Sequence, residues 1–171
     1  MLAKILYASR LVLVALIMVG GVACSKSRLQ RMKEDEKADR ANYIKENNIP
    51  SSARTDSGLY YLEIEAGEGE LPKNGDKLYV YYTGSFLDGT VFDSNQKNGR
   101  YEPLSFTYNE YGGSEVIQGW YEGLGKMKKG GKAKLIVPSS LAYGSNERTG
   151  IPAYSTLIFE VELVDIRRAE N

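Results

Sequence analysis

Several segments after residue 51 alternate between apolar and polar residues, and this period of two constrains the fold more than any other feature. Such alternation is typical of β-strands that have one face on a core. Asp88-Gly89, which follows one of these segments, predicts a tight hairpin. The alternating segments are Gly58–Glu65, Lys77–Thr83, Lys132–Val137 and Thr156–Asp165. Residues predicted to share a face are Tyr60, Leu62 and Ile64; Leu78, Val80 and Tyr82; Ala133, Leu135 and Val137; and Leu157, Phe159, Val161 and Leu163.

One helix is predicted among these strands. In residues 119–128, Trp120, Leu124 and Met127 are spaced to form a single apolar face. The strands are separated by runs rich in Gly, Asn, Asp and Pro, which are turn formers. The sequence therefore predicts an α+β domain over residues 51–171, with an antiparallel sheet curled over one short helix.

The first residues of the chain have the composition of an export signal. Lys4 and Arg10 are basic, no acid is present before Cys24, and Leu11–Val19 is entirely apolar. A basic start, a short apolar core and small residues before a cleavage point are the parts of a secretory signal. The uncharged stretch that begins at Leu11 is shorter than the about 20 residues of a membrane-spanning helix. We expect residues 1–23 to be a signal peptide.

Cys24 is the only cysteine of the chain and follows Val22-Ala23. This arrangement resembles the lipobox of bacterial lipoproteins, although Gly21 stands where leucine is commoner. The resemblance implies that Cys24 receives lipid, and that the protein is exported and anchored to a membrane, facing the periplasm. A plain signal peptide or an uncleaved anchor with an incidental cysteine remains the alternative.

Residues 24–50 are dense in charge. Ser25–Asn48 contains no Gly or Pro, and pairs of opposite charge such as Glu36 and Arg40 lie four residues apart. This pattern predicts an exposed helix that serves as a solvated spacer. A dimerisation arm is a second interpretation, but it would call for a clear heptad pattern.

Two absences restrict the possible chemistry. The chain has no histidine and one cysteine. Ser-His-Asp and Cys-His nucleophilic sites, thiolate clusters and the usual imidazole metal sites are therefore excluded. The 22 basic and 22 acidic side chains give no concentrated basic charge, which argues against nucleic-acid binding. We expect no metal and no cofactor.

Motifs in a characteristic order carry a family resemblance. These segments are Tyr82-Thr83-Gly84, Asp88-Gly89-Thr90-Val91-Phe92-Asp93-Ser94, Pro103-Leu104-Ser105-Phe106, Val116-Ile117-Gln118-Gly119-Trp120, Gly123-Leu124, Met127, Gly130-Gly131-Lys132, Ile136-Val137-Pro138, Leu141-Ala142-Tyr143-Gly144, Gly150-Ile151-Pro152 and residues 156–163. With them, from about Gly58 to the C-terminus, the chain resembles the FKBP-type peptidyl-prolyl cis-trans isomerases.

The resemblance implies a binding pocket. Trp120 would be its floor, the Ile117 N–H and the Tyr143 hydroxyl would bond the carbonyls of the substrate, and Asp93 would hold its polar side. The residues implied for catalysis are Tyr82, Asp93, Ile117 and Tyr143. Those implied for substrate binding are Phe92, Phe106, Val116, Trp120, Ile151 and Phe159. Without the motif order, the aromatic residues would be interpreted as core.

Two loops depart from the commoner pattern of the family. Residues 107–114 look longer and more polar, and residues 145–149 replace the usual loop after Tyr143-Gly144. Both flank the implied site, so substrate preference is left open.

The implied reaction suits a chain without histidine. Rotation about an X–Pro bond twists an amide over a barrier of about 20 kcal/mol. A twisted amide is less dipolar, so a dry aromatic pocket favours it over the planar form.

The resemblance implies proline-containing polypeptides as substrates and macrolides such as rapamycin as inhibitors. A membrane is a further expected partner, through lipid on Cys24. The alternatives are a non-catalytic proline-binding chaperone and an accessory lipoprotein of an envelope or surface-motility complex.

Overall fold

The computed structural model describes residues 28–97 and 100–170, so the predicted signal peptide and Cys24 lie outside the described residues. The chain divides into two compact units, Met1–Asp35 and Glu36–Asn171. Within the first unit the described residues are helical, and the Gln30 amide donates a hydrogen bond to Glu34 at 2.8 Å. This helix, α1, covers residues 28–46. No helix in the described ranges is both long and apolar enough to span a bilayer.

The second unit is built on an antiparallel sheet. The elements are β1 (Tyr60–Glu65), β2 (Lys77–Ser85), β3 (Val91–Ser94), β4 (Gln96–Lys97), β5 (Arg100–Tyr101), β6 (Leu104–Thr107), α2 (Gln118–Leu124), β7 (Lys132–Val137) and β8 (Leu157–Arg167), with 3-10 turns at Ser51–Ala53 and Ser139–Leu141. The strand order of the sheet is β1-β7-β8-β2-β3, and β6 also pairs with β2. Strands β4 and β5 form a separate two-stranded sheet.

The inner face of the sheet packs on α2 and forms the core. The alternation predicted for β2, β7 and β8 is confirmed, since the apolar residues of each inner face are buried. They include Leu78 and Val80 on β2, Ala133, Leu135 and Val137 on β7, and Leu157, Phe159, Val161 and Leu163 on β8. Trp120, Leu124 and Met127 are buried against this face. The predicted α+β fold, a curled antiparallel sheet with one short helix, is thus confirmed.

Strand β1 and helix α2 differ in detail from the sequence expectation. The core contacts here come from Leu59, just before β1, and from Tyr61 on it, whereas Ile64 on the predicted apolar face is 56% exposed. Side chains alternate along the strand, so Ile64 lies on the face opposite Tyr61, away from the core. Helix α2 ends at Leu124, before the predicted residue 128. Beyond it, the N–H groups of Lys126 and Met127 bond carbonyls three residues back, as in a 3-10 turn.

Part of α1 packs against the sheet domain. The expected pair of Glu36 and Arg40 is present, but the Glu36 side chain is only 7% exposed. Its carboxylate also accepts hydrogen bonds from Ser139 and Thr156. Residues 36–46 therefore contact the domain, unlike a fully solvated spacer. The predicted boundaries 24–50 and 51–171 stay predictions.

Asp76 joins the start of β2 to the segment that follows β8. This residue is 2% exposed. Its carboxylate accepts hydrogen bonds from the backbone N–H of Lys73 at 2.8 Å, from the backbone N–H of Ala169 at 3.2 Å and from the guanidinium of Arg168. Burial alone would raise the pKa of the Asp76 carboxyl, but these donors outweigh it and hold the pKa below its ordinary value.

Asp76→Asn tests this junction. A carboxyl whose pKa is lowered in the folded state contributes stability above its unfolded pKa and loses it as the pH falls through the folded value. We expect the variant to lose about 1–3 kcal/mol of unfolding free energy at pH 7. The difference from wild type should shrink as the pH falls below about 4. Urea titrations from pH 7 to 2 measure it, with the exposed Asp56→Asn as control; a pH-independent difference would contradict the assignment.

Candidate functional site

A cavity of about 470 Å³ opens where the inner face of the sheet meets the start of α2. Strands β2, β3 and β8 supply one side, α2 the floor, and the loop between β7 and β8 the other side. Cavities of this size and mixed lining are typical of small-ligand sites. The lining residues are Tyr82, Phe92, Asp93, Leu104, Glu115, Val116, Ile117, Trp120, Tyr143, Arg148, Thr149, Ile151 and Phe159.

Aromatic rings meet edge to face in the cavity. The Trp120 ring lies 5.0 Å from Tyr82 at 78° and 5.4 Å from Phe159 at 87°. Phe92 lies 5.7 Å from Phe159 at 88°. Edge-to-face packing is the favoured arrangement of aromatic pairs and holds each ring in a defined orientation. These rings form a rigid apolar wall and floor.

Gly84 allows two of these rings to approach the sheet. On β2 it lies opposite Asp93 of β3 and Phe159 of β8. A Cβ atom at this position would lie 2.6 Å from the Phe92 ring and 3.0 Å from the Phe159 ring. The absence of a side chain at Gly84 is therefore necessary for the observed position of Phe92.

The polar side of the cavity is held by Asp93. The Tyr82 hydroxyl donates a hydrogen bond to Asp93 Oδ2 at 2.6 Å, and the Ser94 backbone N–H donates to Oδ1 at 2.8 Å. Burial, followed by the hydrogen bond to Asp93, raises the pKa of the Tyr82 hydroxyl well above its ordinary value. Tyr82 therefore stays protonated at neutral pH and keeps the carboxylate oriented.

Three N–H or O–H groups border the cavity without a partner among the described residues. They are the backbone N–H of Ile117, the hydroxyl of Tyr143 and the buried indole N–H of Trp120. Ile117 is the N-cap of α2 and has extended backbone angles. A buried donor without a partner, such as the Trp120 N–H, is uncommon. The three groups together suit a ligand that carries carbonyl oxygens.

The loop at residues 145–149 brings a cation to the rim. Arg148 and Ile151 exchange backbone hydrogen bonds of 2.9 Å in a short bridge. The Arg148 guanidinium lies 5.4 Å from the centre of the Tyr143 ring, a cation–π distance. On the opposite rim, the Glu115 carboxylate accepts a hydrogen bond from the Thr107 N–H at 3.2 Å. The rim thus carries fixed charge of both signs.

The structure brings together the site residues named from sequence, with one difference. All of them except Phe106 line the cavity. Phe106 is 1% exposed and packs behind the floor, 6.3 Å from Trp120 and 5.4 Å from Tyr121. The lining residues that the sequence reasoning left out are Leu104, Glu115, Arg148 and Thr149. Leu104 lies within a recognised motif and Glu115 directly before another, whereas the other two lie in a loop noted as unusual.

A second cavity of about 480 Å³ lies between α1 residues 36–46 and the loops at residues 86–88 and 154–156. Four carboxylates border it, and it lacks a packed aromatic floor. The lining acids are Glu36, Asp39, Glu46 and Asp88. Within the described ranges, no group of three or more Cys, Asp or Glu residues is arranged to hold a metal ion. The first cavity is therefore the candidate functional site.

Comparison with known proteins gives one consistent result. Residues 68–164 match the model of the FKBP-type peptidyl-prolyl cis-trans isomerases. The chain is 43% identical over 152 residues to the FKBP-type peptidyl-prolyl cis-trans isomerase FkpA of Escherichia coli K12, covering 84% of this chain and 53% of that protein. It is 41% identical over 146 residues to the FKBP-type 22 kDa peptidyl-prolyl cis-trans isomerase of the same strain, covering 84% and 66%.

Solved structures agree with the sequence matches. The crystal structure of FkpA from Escherichia coli superposes with a TM-score of 0.71 at 40% identity, covering 85% of this chain and 65% of that one. The crystal structure of AtFKBP13 gives a TM-score of 0.59 at 32% identity, covering 66% and 96%. The chain spans about half the length of the FkpA proteins it matches.

Gly84→Ala tests the close packing of the aromatic wall. The added methyl group should push Phe92 out of the wall and lower the unfolding free energy by about 1–3 kcal/mol, the usual cost of overpacking. Near-UV circular dichroism should change while the far-UV spectrum stays the same. In a Phe92→Ala background the same substitution should cost much less, because the ring it meets is absent. Equal costs in both backgrounds would contradict the close approach.

Proposed function

The chain belongs to the FKBP-type peptidyl-prolyl cis-trans isomerase family, and we propose that it catalyses rotation about X–Pro bonds in polypeptides. One observation carries this proposal. An aromatic wall and floor, formed by Tyr82, Phe92, Trp120 and Phe159, shares the cavity with donors that have no partner among the described residues. The wall fits a proline ring, and the donors fit the carbonyl groups that flank it.

The reaction needs no bond to form or break. The planar X–Pro amide is stabilised by resonance, and rotation removes that resonance at a cost of about 20 kcal/mol. The twisted amide has less charge separation than the planar one. Transfer from water to the aromatic cavity therefore disfavours the planar ground state more than the transition state.

The donors select and hold the twisted geometry. The Ile117 N–H and the Tyr143 hydroxyl hydrogen-bond carbonyl oxygens on either side of the proline. Fixed donors that match the transition state stabilise it without reorganisation during the reaction. Asp93, oriented by Tyr82 and Ser94, supplies negative potential on the side where the twisted amide carbon lies.

A non-catalytic chaperone is the main alternative use of the same cavity. Binding without turnover would stabilise the planar and the twisted amide by the same free energy, so the rotation barrier would stay unchanged. In this chain Tyr82, Phe92, Asp93, Trp120 and Phe159 all line the cavity, which favours turnover. The two functions differ in a direct measurement, the rate of cis-trans exchange of a proline peptide.

The decisive experiment is an isomerisation assay on the whole chain, with proline peptides that carry no ionisable side chains. We expect catalysis and its inhibition by rapamycin, which would occupy the aromatic cavity. We also expect kcat/KM to be nearly flat between about pH 6 and 8.5, because the raised pKa of Tyr82 keeps that hydroxyl protonated and no imidazole is present. Chelators should leave the rate unchanged.

Two results would overturn this mechanism. Absence of turnover in a folded, macrolide-binding protein would favour the chaperone alternative. A tenfold change of kcat/KM with pH, centred near neutral pH and with an unchanged circular dichroism spectrum, would indicate general acid–base catalysis.

The proposed place of action is outside the cytoplasm. Lys4, Arg10 and the apolar run that follows support export, and Cys24 after Val22-Ala23 supports lipid attachment. The protein would then act on exported polypeptides from the periplasmic surface of a membrane. An accessory role in an envelope complex would require a stable partner that co-purifies after crosslinking.

Cys24→Ser tests the anchor. We expect wild-type protein to partition into the detergent phase and the variant to be unprocessed or released, because the sole thiol that could carry lipid is lost. Mass spectrometry of the mature wild-type protein should show a lipidated N-terminal Cys24. An intact segment 1–23 in that protein would defeat the lipoprotein hypothesis, whereas the isomerase assay would be unaffected.

A further inference from the structure

The carboxylate of Glu36 accepts hydrogen bonds from both ends of the loop that places Tyr143 at the cavity. The loop runs from Ser139 to Thr156 and includes Tyr143 and Ile151. Glu36 Oε1 accepts a hydrogen bond from the Ser139 backbone N–H at 3.0 Å and from the Thr156 hydroxyl at 2.6 Å. Glu36 belongs to α1 and lies 103 and 120 residues away from these partners in sequence.

This contact is buried and charge-compensated. The side chain of Glu36 is 7% exposed, and Ser139 and Thr156 are 5% and 4% exposed. Arg40 pairs with Glu36 and also donates to the Thr156 hydroxyl at 3.1 Å. A buried carboxylate is tolerated only with such partners. Removing the carboxylate would leave the Ser139 N–H, the Thr156 hydroxyl and the Arg40 guanidinium in place without their common acceptor.

Backbone hydrogen bonds link Ser139 to the two residues that flank Tyr143. The Ser139 carbonyl accepts from the N–H groups of Ala142 at 3.0 Å and Gly144 at 2.8 Å. These two residues flank Tyr143 on either side. The Gly144 carbonyl in turn accepts from the Tyr154 N–H at 2.7 Å. The position of Ser139 therefore sets the backbone position of Tyr143.

We propose that Glu36 is a positioning residue for the isomerase site, which holds the Tyr143 hydroxyl in place through Ser139. The inference rests on the proposed function for its kinetic consequence, and on the hydrogen-bond chain alone for its structural one. Helix α1 residues 36–46 are then part of the working enzyme. Glu36 does not line the aromatic cavity, so its effect on the reaction is indirect.

Glu36→Ala should lower kcat/KM about tenfold, mainly in kcat, because small displacements of an orienting group lower rates steeply. Glu36→Gln keeps an oxygen acceptor and should recover most of the rate. Glu46→Ala is the matched control, since Glu46 is an exposed residue of the same helix. The measurement is the isomerisation assay on the whole chain with a neutral proline peptide. Equal rates for wild type and Glu36→Ala would overturn the proposal.

A double-mutant cycle with Tyr143→Phe separates positioning from general loss of stability. If Glu36 acts through the Tyr143 hydroxyl, Glu36→Ala should change kcat/KM less than about twofold once that hydroxyl is gone. Rate losses that simply multiply would show an independent structural effect and contradict the proposal. If Glu36→Ala does not fold, Thr156→Val removes one of the two loop contacts and takes its place in the cycle.

Amide hydrogen exchange gives a readout that does not depend on catalysis. Glu36→Ala should speed exchange at Ala142 and Gly144, whose N–H groups bond Ser139, while the amides of β2 keep their protection. Unchanged exchange at these two amides would refute the proposal even if the protein isomerises proline. Faster exchange in a protein without turnover would instead refute the proposed function and leave the structural link intact.

Discussion

The pairing of β2 with β8 is the constraint on which the rest of the domain depends. Its register extends from Lys77 opposite Arg167 to Ser85 opposite Ile158, with one shift between Tyr79 and Val80. Because side chains alternate along a strand, one face of this pair is buried in the core near the Arg167 end and forms the aromatic wall near the Ser85 end. A slip by one residue would turn both the core and the wall to the opposite face. Fold and site therefore share one determinant.

The sequence predicted the fold well because this determinant has a period that is visible in the residues. The faces of β2, β7 and β8 follow from alternation alone. Strand β1 shows the limit of such reasoning: the pattern predicts that Tyr60 and Ile64 share a face, but not that this face lies away from the core. In an edge strand apolar residues can also lie on the solvent-facing side. Their alternation therefore does not show which face of the strand is turned to the core.

The site was predicted by family resemblance more than by periodicity. Aromatic residues at strand positions are consistent with both core and cavity, and Phe106 in fact lies behind the floor. The rim residues Arg148 and Thr149 fall in a loop without a repeating pattern. Their positions depend on the bridge between Arg148 and Ile151, which follows from loop closure and has no local sequence signal.

The burial of Glu36 and Asp76 could not be predicted from the sequence, for a different reason. Glu36 and Arg40 form the pair that a solvated helix would have, and nothing local shows that the acid also receives two donors from distant parts of the chain. Asp76 likewise depends on Arg168, 92 residues away. Such contacts are set by tertiary structure, and they fix the ends of loops that the sheet does not hold.

Strand pairing and long-range hydrogen bonds position different parts of the site. The aromatic wall rests on paired strands and is rigid through the sheet itself. The Tyr143 hydroxyl rests on a loop whose backbone has positive φ values at Gly144, Gly150 and Tyr154, and which lacks a continuous ladder of strand hydrogen bonds. If the reaction requires a desolvated amide and fixed donors but no titrating group, its rate depends on how precisely the loop positions the Tyr143 hydroxyl. The packing of one helix against that loop then influences catalysis indirectly, through the position of the Tyr143 hydroxyl.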